Sequence, residues 1–219
     1  MTTALERVER ATQALKVFPL PSAVLFPHSA IPLHIFEPRY RALVRDALEA
    51  DQVMALAQLE PGWESQYGER PPMQPLLCAG LILWHEELPD GRYNILLQGV
   101  CRARLLFEQP AGKLYREARV QLLPDAHYQG PEEEQLRQAV FELVGRVPAS
   151  FAENLLPVVA RAQGGTLADV VAAAIIQEPE RRQEVLGELD VRARLETVRD
   201  EVGEFIARLS PARPEGPLN

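Results

Sequence analysis

The chain has 219 residues, 47% of them hydrophobic and 25% charged, with a formal net charge of −8. That is enough for one large domain or two small ones with a real core, and no apolar run approaches the length of a membrane span. The acidic balance repels nucleic-acid phosphates unless the bases are segregated, and the arginines here are scattered.

The N-terminus, MTTALERVERATQALKVF, has no basic region followed by an apolar stretch, which argues against a secretory signal. Leu5, Val8, Thr12 and Leu15 recur at helical spacing, so a short helix or a frayed lead-in is expected. The next stretch, Phe18 to Tyr40, is punctuated by Pro19, Pro21, Pro27, Pro32 and Pro38. Proline fixes φ and donates no N–H, so this segment is expected as extended pieces at a sheet edge. Within it, 16–20 and 30–36 read as strands. Pro38 suits the first turn of a helix over 38–51, with Tyr40, Leu43, Val44, Ala47 and Leu48 on one face.

Val53 to Leu59 reads as a buried strand, and 60–75 as a long loop carrying Trp63 and Tyr67. A hairpin follows, with strands at 76–87 and 92–107 around Leu88-Pro89-Asp90-Gly91. Its turn makes paired positions sum to 180. One face then holds Leu77, Ala79, Leu81, Leu83, Tyr93, Ile95, Leu97 and Cys101; the other holds Ile82, Trp84, Glu86, Asn94, Leu96, Gln98, Arg102 and Arg104. This register puts Cys78 and Cys101 on opposite faces, disfavouring a cross-strand disulfide. Two cysteines are too few for a disulfide framework and point to a reducing, cytoplasmic setting.

A further strand is expected at 115–123, then a turn-rich boundary at 124–131. Helices follow at about 132–146 and 150–162, then one opening on a capping-box-like Thr166-Leu167-Ala168-Asp169 and running through VVAAAII. A short helix at 180–187 precedes a longer one capped by Asp190, with Leu195, Val198, Val202, Phe205 and Leu209 as its seam. The division is therefore a β-rich subdomain at 14–125, a helical subdomain at 126–209 and a Pro-rich tail at 210–219, expected to be disordered.

Catalytic chemistry has little to stand on. There is no GxxxxGK[ST] and no GxSxG, and Ser22, Ser29, Ser65 and Ser150 have no convincing basic partner. His28, His34 and Glu37 could ligate a metal, but a strand position and a helix start account for His34 and Glu37 better. His85-Glu86-Glu87 is not HExxH, because residue 89 is proline. Neither a metal nor a cofactor is expected. Trp63 and Tyr67 are different, since large aromatics in a long loop can anchor an apolar ligand. They can equally fold back as a lid over the sheet. Trp84 divides between a helix contact and exposed surface. Arg102 and Arg104 could hold a carboxylate, although a solvated sheet face explains them better.

Five segments carry a family resemblance: FPL at 18–20, LFP at 25–27, IPLHIFEPRYRALV at 31–44, LPDGRYNILLQGVCRARL at 88–105 and LGELDVRARLETV at 186–198. In this order they resemble the amino-terminal domain of Lon proteases and stand-alone proteins built from it. The resemblance implies an α+β fold, a β-rich PUA-like pseudo-barrel subdomain followed by an all-helical one. In Lon this domain helps recognise substrates and organise the oligomer, ahead of an ATPase module and a serine–lysine peptidase. The chain stops near where those modules would begin, so it is expected to be non-enzymatic. The expected role is binding of exposed hydrophobic segments of client proteins, on apolar surface framed by Phe26, Trp63, Tyr67 and Trp84. An adaptor docking a dedicated folded partner, such as the Lon machinery itself, is the alternative. RNA binding, as in other PUA-like relatives, is a third reading that the charge opposes.

Overall fold

The structure, a computed structural model, describes residues 2–66 and 70–209. It opens with helix α1 (Ala4–Ala11), which is no frayed lead-in. The Thr3 hydroxyl accepts the Glu6 amide at 3.2 Å, and the Glu6 carboxylate accepts the Thr3 amide at 2.8 Å, a closed capping box. Its one buried residue, Val8, joins the interior of the β unit.

The strands are β1 (Leu15–Leu20), β2 (Ala30–Ile35), β3 (Val53–Gln58), β4 (Leu76–Glu87), β5 (Tyr93–Glu108) and β6 (Arg116–Leu123). They run β2-β5-β4-β3-β1-β6, and β5 also pairs with β6. Strands β5, β4, β3, β1 and β6 thus close on themselves as a barrel, while β2 lies outside on the first half of β5. The length of β5 permits this: residues 93–98 pair with β2, and residues 102–108 pair with β6. A barrel of few strands is narrow, and its interior is correspondingly rich in small side chains, among them Ala55, Ala57, Ala79, Ala103 and Ala118.

The Pro-rich segment lies at an edge in β2 but not in β1, which β3 and β6 flank. Pro19 is tolerated there because pairing with β6 stops at Val17↔Arg116. The Leu20 carbonyl turns to β3, where it accepts the Leu59 amide at 3.0 Å. Alternation then turns position 19 to the side that β6 has left, where no N–H is needed.

The hairpin keeps its expected register at both ends, from Glu87↔Tyr93 to Trp84↔Leu96 and from Ala79↔Cys101 to Leu76↔Arg104. Two register shifts, between Ile82 and Trp84 and between Ala79 and Gly80, displace the middle by one residue and cancel. The apolar face read from the sequence therefore breaks. Leu77, Ala79 and Leu81 fill the barrel, Tyr93, Ile95 and Leu97 join the second core, and Leu83 is 54% exposed. Cys78 and Cys101 are both buried free thiols.

Helix α2 (Pro38–Leu48) buries Tyr40, Leu43, Val44 and Ala47, the expected face. The second half holds α3 (Pro131–Val144), α4 (Ala149–Val159), α5 (Gly164–Ile175), α6 (Pro179–Gly187) and α7 (Val191–Leu209). Helix α5 is the buried centre, with Leu167, Val171, Ala172 and Ile175 packed against Leu195, Val198 and Val202 of α7. It starts at Gly164 without a side-chain cap, so the expected box at Thr166 is not formed. Asp190 does cap α7, accepting the amides of Arg192 at 2.8 Å and Ala193 at 3.1 Å. One apolar core runs from the outer face of the sheet, through Phe26 and Ile95, into these helices. The expected tail at 210–219 lies outside the described residues.

Candidate functional site

Of the four aromatic residues singled out in the sequence, the three that are described, Phe26, Trp63 and Trp84, do not converge. Phe26 is 0% exposed, with the Arg182 guanidinium 5.4 Å from its ring centroid. It cannot present its ring to a ligand; it anchors a strap laid across the sheet. That strap is held by His28, whose amide donates to the Gly99 carbonyl at 2.9 Å, and by Ser29, whose carbonyl accepts the Gly99 amide at 2.9 Å. Only glycine fits at 99, because a Cβ there would collide with the Phe26 carbonyl oxygen. Tyr67 lies outside the described residues.

Trp84 is 53% exposed on the outer face of the sheet. The pairings Trp84↔Leu96 and Pro32↔Leu96 set it in a cross-strand apolar row with those two residues. A polar row lies beside it, where the Asn94 Oδ1 accepts from the His34 Nδ1–H at 2.7 Å and the Asn94 Nδ2 donates to Glu86 at 3.0 Å. His34 is therefore an exposed member of a side-chain ladder. Among the described residues, no group of three or more His, Cys, Asp or Glu side chains could hold a metal ion.

Trp63 stands in a short 3-10 turn, Trp63–Gln66, and packs partly against the barrel core. The base of its loop is pinned by the bridge Leu59↔Met73 and by backbone bonds Glu60 to Pro72 at 2.9 Å and Gln74 to Gln58 at 2.8 Å. Trp63 lines a groove of about 490 Å³ in which Trp84 takes no part. One wall is apolar and comes from the barrel: Pro21, Leu59, Pro61 and Trp63. The other is helix α6, presenting Glu180, Gln183 and Glu184. The Gln183 amide donates to the Leu76 carbonyl at 2.8 Å, which fixes its orientation and leaves its Oε1 as a buried acceptor with no donor.

The α6 wall is held against the barrel by a buried charge cluster that the sequence did not reveal. Arg102 of β5 is 1% exposed, so it does not belong to a solvated sheet face. Its Nε donates to the Leu186 carbonyl at 2.9 Å, and its Nη1 and Nη2 donate to the two oxygens of Asp169 at 2.7 and 2.6 Å. Arg194 of α7 adds a bond to Asp125, donates to the Glu188 carbonyl at 2.7 Å, and sets its Nε 3.3 Å from Asp169 without a well-directed hydrogen bond. Two guanidiniums and two carboxylates thus balance. Burial works to lower the Arg102 pKa, but the bond and charge of Asp169 outweigh it and hold the guanidinium above its ordinary value. A signal existed: Asp169 is a lone acid leading an otherwise apolar run, and such a charge needs a buried partner.

A small barrel with a β-strand outrigger, joined through a continuous core to a helical bundle, is the architecture of Lon amino-terminal domains. The N-terminal domain of Mycobacterium avium complex Lon protease superposes with a TM-score of 0.69 at 16% identity, covering 88% of this chain and 99% of that one. The Lon N-terminal domain protein from Xanthomonas campestris gives 0.64 at 23% identity, covering 85% and 96%. The profile of the ATP-dependent protease La (LON) substrate-binding domain matches residues 14–202, and the chain belongs to that family. It is 30% identical over 199 residues to the Lon protease of Paraburkholderia phytofirmans and 31% identical over 198 residues to that of Roseiflexus castenholzii. These matches span 87% and 85% of this chain but 24% and 23% of the two proteases. The family supports a role in substrate recognition. No helix among the described residues is long and apolar enough to cross a membrane.

Proposed function

We propose that this protein is a non-enzymatic binding module that holds exposed apolar segments of client proteins in the groove between Trp63 and helix α6. One observation carries the reading: an aromatic, proline-lined wall faces the polar side chains of helix α6 across the groove. An extended client chain matches both walls, with apolar side chains for the Trp63 wall and backbone N–H donors for the exposed carboxylates of Glu180 and Glu184. The membership in the Lon substrate-binding family supports the same reading. It needs no cofactor, and the net charge of −8 favours protein over nucleic acid as the partner.

The test is binding of labelled unfolded polypeptide by fluorescence anisotropy. Trp63→Ala should weaken binding by about tenfold, in line with loss of an aromatic anchor. Unchanged affinity in that variant removes the groove from consideration.

A second reading, docking of a dedicated folded partner, draws on the row Trp84, Leu96 and Pro32 with exposed Leu83 beside it. A flat apolar sheet face suits a folded surface better than a flexible chain. Loss of capture of one stoichiometric partner on Trp84→Ala, with client binding intact, would select it.

A further inference from the structure

The Trp63 groove has a neighbour. Pro21 and Leu59 line both it and a second, smaller pocket of about 230 Å³, so the two adjoin. The character of the walls changes there. Where the groove carries Glu64, Glu180 and Glu184, the pocket carries Arg39, Arg70, Lys113 and Arg116, with Glu37 as its one acid among the described residues.

These cations are partly balanced from behind. Arg39 bonds Glu37 at 2.9 Å, and Lys113 bonds Asp46 at 2.9 Å. Glu108, however, serves two guanidiniums. It accepts Arg116 through Nε at 2.7 Å and through Nη2, and it stands 3.8 Å from Arg70. The pocket therefore keeps a positive excess in a chain whose net charge is −8. Arg70 and Lys113 have side chains 40% and 50% exposed, so their charged heads remain within reach of a ligand. The remaining walls are apolar, from Leu20, Leu59 and the exposed Leu114.

We propose that this pocket receives the free C-terminal carboxylate and last apolar side chain of a client segment lying in the Trp63 groove. The inference rests on the groove reading above. Size argues for a chain end: the pocket is smaller than the roughly 300–1,000 Å³ of sites that enclose a drug-sized ligand, and a chain running through would not fit. Charge argues for the direction. A segment with its terminus among the arginines lays its preceding residues along Glu64, Glu180 and Glu184, where lysine or arginine side chains find partners. A carboxylate held by two cationic side chains gains charge-assisted hydrogen bonds that an amide does not.

The test uses the whole chain and a fluorescein-labelled peptide of about eight residues in extended form, containing two lysines and ending in leucine. It is made as the free acid, as the C-terminal amide, and as an amide whose next-to-last residue is aspartate. The free acid should bind at least about tenfold more tightly than either amide. The variant Arg70→Gln/Lys113→Gln should bind acid and amide equally, while Trp63→Ala should weaken all three. Equal binding of acid and amide by the wild type, with the Trp63 dependence retained, overturns the terminal pocket and leaves the groove standing. An aspartate amide that matches the free acid overturns the choice of a chain terminus. No binding of any peptide, or no effect of Trp63→Ala, overturns the groove and the pocket together. Both substituted side chains are half exposed, so the double variant keeps its fold, and circular dichroism checks that it has.

Discussion

Arg102 and Asp169, 67 residues apart in sequence, meet as a bidentate ion pair with both side chains 1% exposed, and so tie the barrel to the central helix of the bundle. Removing one partner leaves an uncompensated buried charge. Arg102→Ala or Asp169→Ala should therefore cost about 3–5 kcal/mol in urea unfolding. Arg102→Met/Asp169→Leu removes both charges and should recover much of that loss, since an apolar pair of similar volume is often neutral. If either single variant unfolds at the wild-type midpoint, the cluster does not hold the two halves together.

The elements themselves were legible. The edge role of β2, the α2 face and the Asp190 cap each follow from proline chemistry, helical spacing or cap preference. Non-local features were not. The paired bulges in the hairpin depend on how a sheet must bend to close a barrel, which no local pattern encodes, so Leu83 does not share the burial of Leu77, Ala79 and Leu81, with which the alternation groups it. Arg102 looked solvated because its partners lie in a loop and on two helices far along the chain. Phe26 read as accessible because a proline-bounded loop resembles a surface segment; the strap over Gly99 turns it inward. For the candidate site, Trp63 was visible as a loop aromatic, while its helical wall required the tertiary fold.

Gly165 and Gly203 predict opposite outcomes for the same substitution. A Cβ at Gly165 would collide with the Asp125 carboxylate and the Arg194 guanidinium. Gly165→Ala must displace that ion pair and should cost about 1–3 kcal/mol. Gly203 lies within α7, is exposed, and has open space where a Cβ would go. Gly203→Ala should stabilise by about 0.5–1 kcal/mol, through the lower helical cost of alanine. Thermal melts of the two variants check both signs.

Asp46 gives a pH dependence. Burial pushes its carboxyl up, but hydrogen bonds from Lys113 at 2.9 Å and Tyr115 at 2.7 Å outweigh it and hold the group below its ordinary value. A folded pKa below the unfolded one means the stabilisation is fully present above the unfolded value of about 3.9 and fades as pH falls through the folded one. Asp46→Asn should therefore lower stability at neutral pH and lose its effect in strong acid. A difference between variant and wild type that is constant from pH 7 down to the acid limit contradicts this. The same variant frees Lys113, so it also serves as a gain-of-charge probe of the cationic pocket.

Strand β2 predicts a solubility effect. Among the described residues it pairs only with β5, so its other edge is open. The Ser29 carbonyl accepts the Gly99 amide, which makes that pair a bonded one. Alternation then turns Ile31, Leu33 and Ile35 toward β5, and Ala30, Pro32 and His34 toward the open edge. Pro32 thus removes a donor at the centre of the exposed edge, where a second strand would otherwise add, and it does so beside the apolar row with Leu96 and Trp84. Proline at this position is the kind of device that keeps sheet edges from pairing. Pro32→Val restores the donor and adds β-propensity, so it should raise self-association with concentration while leaving the unfolding midpoint of dilute protein nearly unchanged. Light scattering across a dilution series reads this directly. Combining it with Trp84→Ser should reverse the association, because the edge and the apolar row act together. A Pro32→Val protein that scatters like the wild type at every concentration would show that the edge is already blocked by other means.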